Sequence, residues 1–180
     1  YYLDKFDPKK VLEILSKFNV TVTMLPPVLL SSLLTSDVLA NSHLGDLRIL
    51  ICGGAPIKRE IVNEAKALLK NTKFVCGYGL TEASPILSFF KPDQLQEGDE
   101  DFNYMPIGKP LVDIQFQLVN KNLDGIGELA AQGPNIFSGY LKNEKETSAR
   151  FQHGWFLTGD LAKLDKAGHL QLLGRIQDVI

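Results

Sequence analysis

Gly77-Tyr78-Gly79-Leu80-Thr81-Glu82 is the segment whose residue types come nearest to chemistry. Two glycines let the backbone turn sharply after a strand and approach a ligand, Tyr78 offers a ring face, and Thr81-Glu82 sets a hydroxyl beside a carboxylate. That mix suits a nucleotide and its metal. A carboxylate beside a phosphate needs a hard cation to offset repulsion, so Glu82 points to Mg2+. The same letters also describe an ordinary turn with a capping Thr-Glu pair, and alone they leave both readings open. Asp160 has a rationale of its own, because a carboxylate can accept hydrogen bonds from both neighbouring hydroxyls of a ribose. A turn aspartate after Gly159 is the alternative.

Other residues invite less. His153 precedes Gly154-Trp155 in a turn, and His43 and His169 have no partner in the sequence, so all three are read as non-catalytic. Trp155 is expected to pack, and the acidic run Glu97 to Asp101 to form a solvated loop. Cys52 and Cys76 are too few for a disulfide framework or a zinc site of usual spacing, and are read as reduced, buried small residues.

The elements that must position these residues can be read along the chain. Asp7-Pro8 caps a helix from about Pro8 to Phe18, with Val11, Leu12, Leu15 and Phe18 at helical spacing. A short strand over Val20 to Leu25 stops at Pro26-Pro27, a helix follows over Val28 to Leu34, and Thr35 to Asp46 is loop-like. Leu47 to Cys52 is an apolar run ending at Gly53-Gly54, the pattern of a strand buried on both faces. An amphipathic helix over Ile57 to Leu69 and a strand over Lys73 to Cys76 complete a parallel crossover unit. Ligands gather at the carboxyl ends of such strands, where Gly53-Gly54-Ala55 and Gly77-Tyr78-Gly79 both fall.

Beyond a boundary loop from Phe90 to Tyr104 the grammar changes. Val112, Ile114, Phe116 and Leu118 alternate with polar residues as a half-buried antiparallel strand, followed by a turn at Asn120 to Gly125. Further strands are expected at Gly127 to Ala131, Trp155 to Leu157 and His169 to Leu173, with a helix over Asn143 to Phe151 and a hairpin turn at Asp165 to Gly168. The expected fold class is α/β: a parallel α/β subdomain over 1–102, then a small antiparallel β-barrel-like subdomain over 103–180.

The 180 residues, 44% of them hydrophobic, suffice for a sizeable core. A net charge of −2 offers no basic face for nucleic acid. The longest apolar stretch, Thr21 to Leu34, is broken by Pro26, Pro27, Ser31 and Ser32 and too short to span a bilayer. No transmembrane segment and no secretory signal are read, so a cytoplasmic protein is expected, with its start lying upstream of a first residue that is not Met.

Gly77 to Glu82 resembles the Tyr-Gly-x-Thr-Glu signature of the adenylate-forming superfamily, in the acyl-CoA synthetase or fatty acid–CoA ligase branch. Gly53-Gly54-Ala55-Pro56 upstream is similar to that family's purine-facing loop. Downstream follow Gly127-Glu128-Leu129 with Gly133-Pro134 and Gly139-Tyr140, then Gly154-Trp155-Phe156 with Thr158-Gly159-Asp160, and Gly174-Arg175-Ile176-Gln177-Asp178. The resemblance implies that Gly54 and Ala55 line the adenine while Tyr78 stacks on it. It further implies that Thr81 contacts the α-phosphate or the acyl-adenylate, that Glu82 holds Mg2+, that Asp160 binds the ribose, and that Arg175 reaches the ribose or phosphate. Gly53, Pro56, Gly77 and Gly79 would complete the nucleotide loops.

In that family a carboxylate attacks the α-phosphorus of ATP, releasing pyrophosphate, and a thiol of CoA then displaces AMP. The implied partners are a small-molecule carboxylic acid, ATP and CoA. A glycine- and Ser/Thr-rich phosphate loop and the family's C-terminal lysine domain are not read in these residues, so the chain is expected to be part of the large domain and inactive alone. Gln177 departs from the Asp or Lys usual at that hinge position, with Asp178 beside it as pattern. Leu80 between Gly79 and Thr81 favours the acyl- or aryl-CoA synthetase branch, and Thr81-Glu82-Ala83-Ser84-Pro85 looks like fatty acyl-CoA synthetases. Loading of a carrier-protein thiol, and a nucleotide-binding module without catalysis, are the alternatives.

Overall fold

The computed structural model describes residues 4–95, 103–165 and 168–178. Two compact units divide the chain: Tyr1–Cys76 with Lys91–Gln96 and Asp101–Met105, and Gly77–Phe90 with Glu97–Glu100 and Pro106–Ile180.

In the first unit, α1 (Pro8–Lys17) begins as its letters dictate. The Asp7 carboxylate accepts from the N–H groups of Lys9 and Lys10 at 3.0 and 3.3 Å, and Pro8 occupies a position that needs no donor. Leu12 and Leu15 face inward. β1 (Val22–Leu25) and β2 (Ile49–Gly53) pair in parallel, from Val22 opposite Ile49 to Leu25 opposite Cys52. The connection between them contains α2 (Pro27–Leu34), as a parallel pair requires, and a 3-10 turn at Leu39–Asn41 within the expected loop. α3 (Arg59–Leu68) leads on to β3 (Lys73–Gly79), the next neighbour of β2; β3 belongs to this unit as far as Cys76 and to the second from Gly77. α2 packs on α1, α3 and β2, and Leu12, Leu30, Leu33, Leu50, Cys52 and Val62 are all but sealed from solvent. The LRILIC segment is not buried on both faces as expected. Leu50 and Cys52 are buried while Ile49 and Ile51 stay partly exposed, so burial alternates with the pleat.

In the second unit, β4 (Ile86–Phe90) lies next to β3 and pairs antiparallel with β5 (Lys109–Pro110). A separate sheet contains β6 (Gln115–Val119), β7 (Gly127–Gln132), β8 (Phe151–Gln152), β9 (Trp155–Leu164) and β10 (Leu170–Arg175), with α4 (Glu144–Arg150) before β8. Its order is β10-β9-β7-β6, with β8 on β9, and every pairing is antiparallel. The antiparallel subdomain is present as expected, and among the described residues its sheet is open, since its outer strands β6 and β10 do not pair to close it. Asn122 Oδ1 closes the turn before β7 by accepting from the N–H groups of Asp124 and Ile126, both at 3.0 Å. The hairpin before β10 closes between Asp165 and Gly168 at 3.1 Å, while Lys166 and Ala167 lie outside the described residues. The acidic run Glu97 to Asp101 lies outside them too. Tyr78, Leu87, Ile107, Ile114, Leu129 and Ala162 form one core cluster in this unit.

Two strands run further than the sequence suggests. β3 does not stop at Cys76 but carries Gly77, Tyr78 and Gly79 within it. β9 continues past Leu157 through Thr158-Gly159-Asp160 to Leu164. Glycine is depleted in strands and reads as a stop, yet it is used within them where backbones come close or a bulge forms.

Candidate functional site

The expectation of a sharp turn at Gly77 and Gly79 is therefore corrected. Gly79 is required for a different reason: a Cβ there would stand 1.8 Å from the Pro85 carbonyl oxygen and 2.8 Å from Ile86 Cα. The chain turns after Leu80, in a 3-10 turn over Thr81–Ala83 that ends on Ser84 in the left-handed region at φ 52°. That backbone is costly for a non-glycine residue, and it is held from outside the segment. Asn135 Nδ2 donates to the carbonyls of Ala83 at 2.7 Å and Ile86 at 3.1 Å, and the Phe137 N–H donates to the Glu82 carbonyl at 2.8 Å.

Glu82 is half-buried and Thr81 exposed. The Tyr140 hydroxyl donates to Glu82 Oε1 at 2.8 Å, and burial followed by this bond raises the Tyr140 phenol above its ordinary value, keeping it a donor. The Phe137 ring meets Tyr140 edge-on with centroids 4.8 Å apart. One carboxylate oxygen is thus fixed in direction. Among the described residues no three His, Cys, Asp or Glu side chains come together as a metal cage. A single oriented carboxylate nonetheless fits Mg2+, which takes one or two carboxylates and completes its shell with phosphate and water.

Tyr78, Asp160 and Arg175 meet in one place. Tyr78 is 6% exposed, its ring is in T-shaped contact with Phe116, and its hydroxyl donates to Asp160 Oδ2 at 2.6 Å. Arg175 Nε lies 3.0 Å from Asp160 Oδ1, and its Nη1 donates to the Thr158 carbonyl at 3.0 Å. Burial raises the Asp160 carboxyl above the usual aspartate value, against the opposing pull of the Tyr78 bond and the Arg175 charge. The Tyr78 phenol is raised further still, by burial and then by the Asp160 charge. A carboxylate offers about four lone-pair positions, so these two partners leave acceptor capacity for a diol. Tyr78 exposes little surface, and its hydroxyl is committed to Asp160.

Gly53, Gly54, Ala55 and Pro56 belong to the first unit. Gly53 ends β2, Gly54 turns at φ 85°, and Ala55 and Pro56 are exposed before buried Ile57. Cys52 and Cys76 are free and buried, with burial pushing the Cys52 thiol up to about 12 and Cys76 higher, so neither supplies a thiolate at neutral pH. His169 does have a partner: its Nδ1 lies 3.2 Å from Asp165 Oδ2 and its N–H donates to Oδ1 at 2.7 Å, which ties the hairpin. His153 sits exposed in a turn at φ 50°, and Gln177 is exposed beside Arg175.

Glu128, Asn135 and Tyr140 carried no expected role, although Gly127-Glu128-Leu129 and Gly139-Tyr140 were among the resembling blocks. Their partners stand 31, 52 and 58 positions away in sequence, beyond the reach of any local pattern.

Residues 1–141 match the family described as AMP-binding enzyme. Among curated proteins, 4-coumarate–CoA ligase-like 9 of Arabidopsis thaliana is 30% identical over 99% of this chain and 32% of its own length. The 2-succinylbenzoate–CoA ligase of Oceanobacillus iheyensis is 31% identical over 100% of this chain and 36% of its own. The chain thus spans about a third of the length of these relatives. Among solved structures, the amide bond synthetase McbA from Marinactinospora thermotolerans superposes with a TM-score of 0.83 at 29% identity, covering 99% of this chain and 36% of that one. ATP-bound MatB from Rhodopseudomonas palustris gives 0.82 at 29% identity, covering 99% and 35%.

Proposed function

Because the chain belongs to the family of AMP-binding enzymes, we propose that it carries much of the nucleotide site of a ligase that activates a carboxylic acid as its adenylate. The observation that carries this reading is the buried Asp160 carboxylate, oriented by Tyr78 on one oxygen and Arg175 on the other. Asp160 accepts from the ribose hydroxyls, and the half-exposed Arg175 guanidinium keeps that carboxylate charged as a diol approaches. Thr81 would contact the α-phosphate or the acyl-adenylate. Glu82, aimed by Tyr140, would hold Mg2+, which would supply positive charge to offset that of the phosphate. The protein's share of the chemistry is positioning and charge stabilisation.

In the reaction an acid oxygen forms a bond to the α-phosphorus while the bond to pyrophosphate breaks. The CoA sulfur then bonds the acyl carbon, and AMP leaves. We propose a fatty acid on the segment Thr81 to Pro85; the names of the relatives, which include 4-coumarate and 2-succinylbenzoate, make aromatic acids the first competitor. Transfer to an acceptor other than CoA is the second reading, favoured by the likeness to an amide bond synthetase.

Carboxylate-dependent exchange of pyrophosphate into ATP tests the reading, run with fatty and aromatic acids on this chain and on a longer protein containing it. Exchange by the longer protein with fatty acids, followed by CoA ester, is expected, with none from the 180 residues alone. Exchange without CoA ester selects the other acceptor, and no exchange with any acid overturns the ligase reading.

A further inference from the structure

Asp160 ends a bulge on the β7 side of β9, while on the other side of the strand it pairs with Arg175 of β10. β7 and β9 pair as Glu128 opposite Leu161 and then Ala130 opposite Leu157, so Thr158, Gly159 and Asp160 together face Leu129. Such a bulge re-aims a side chain and leaves ladder groups without strand partners. Here side chains take four such groups. Thr158 Oγ1 donates to the Leu129 carbonyl at 2.7 Å and accepts from the Asp160 N–H at 3.1 Å. Arg175 takes the Thr158 carbonyl. The Gly159 N–H donates to Glu128 Oε1 at 3.0 Å. Gly159 is at φ 77°, and a Cβ there would meet Arg150 Nη1 at 3.0 Å, so the bulge apex has no side chain of its own to pin it. Glu128, Arg150, Gly159, Arg175 and Gln177 line an open cavity of about 370 Å³.

We infer that Glu128 is a positioning residue for nucleotide recognition: its carboxylate, through the Gly159 N–H, fixes the bulge that aims Asp160 at the ribose. This rests on the reading of Asp160 as the ribose acceptor. Thr158 and Arg175 fix the flanks of the bulge, whereas Glu128 fixes the residue between them, whose glycine backbone is the freest. A charge-assisted bond to a backbone N–H is the stronger kind, so losing it shifts affinity by about tenfold.

The test measures binding of AMP and of 2′,3′-dideoxy-AMP to the chain carrying Glu128, Glu128→Ala or Glu128→Gln. Wild type is expected to prefer AMP, E128A to lose most of that preference through weaker AMP binding alone, and E128Q, whose amide oxygen still accepts, to keep most of it. If wild type does not discriminate the two ligands, the ribose reading of Asp160 is what fails. If wild type discriminates and E128A does so equally, the role of Glu128 is overturned. Exchange of the Gly159 amide proton gives a readout that needs no ligand: protection in wild type and E128Q with loss in a folded E128A is expected. Should E128A not fold, E128Q decides, since an unprotected Gly159 amide there, or lost discrimination, removes the proposal.

Discussion

Burial raises Asp160 while Tyr78 and Arg175 pull the other way, and burial is the largest influence. The folded chain therefore binds a proton at this carboxyl more readily than the unfolded chain does. The stabilisation that follows is full below the ordinary value of 3.8 and is lost as pH rises through the higher folded value. Against Asp160→Asn, which keeps an acceptor for Tyr78 but cannot ionise, the natural chain should lose relative stability as pH climbs from below 3.8 toward neutral. Urea midpoints of both proteins across that range measure it, and parallel curves would contradict the burial of a charged Asp160. Tyr78→Phe removes the donor on Oδ2 and should cost about 1–3 kcal/mol at neutral pH, because a buried acceptor is left short. Its urea midpoint should fall with the slope unchanged.

The turn over Thr81–Ala83 owes its shape to a neighbouring loop rather than to its own sequence. Asn135 holds the Ala83 and Ile86 carbonyls on either side of left-handed Ser84, and Phe137 holds Glu82. Asn135→Ala should destabilise by about 2 kcal/mol, the order expected when partly buried carbonyls lose their donors, and should weaken Mg2+-dependent nucleotide binding along with it. Chemical denaturation and titration with and without Mg2+ separate the two effects. Gly79→Ala tests the packing on the other side. Its methyl would collide with backbone at Pro85 that cannot move as a side chain could, so a loss above about 3 kcal/mol or failure to fold is expected. A stable G79A chain would mean that β3 and the turn do not approach as described.

For the chain as a whole, binding to the folded state alone must raise its stability by mass action, by about 2.7 kcal/mol at a hundred times Kd. AMP should therefore raise the melting temperature in a concentration-dependent way, and Asp160→Asn should reduce that rise at equal AMP. No shift at any concentration would show that the 180 residues do not bind the nucleotide unaided. Among the described residues no helix is long and apolar enough to cross a membrane, which agrees with the interruption of the apolar stretch by Pro26 and Pro27.

What the sequence determined was local. The Asp7-Pro8 cap, the alternation that gives β6, the Asn122 turn and the Asn143 cap of α4 each depend on residues within one or two turns of one another. Motif letters likewise marked Glu82, Asp160 and Arg175. Only the tertiary structure decided what glycine was for: Gly79 stays inside a strand because Pro85 comes too near for a side chain, and Gly159 forms a bulge because Leu129 faces three residues of β9. It alone brought Tyr78 to Asp160 across 82 positions and Tyr140 to Glu82 across 58. Hydrogen bonds of that span are set by which strands become neighbours, a choice made by burial over the whole unit, and no window of sequence contains it.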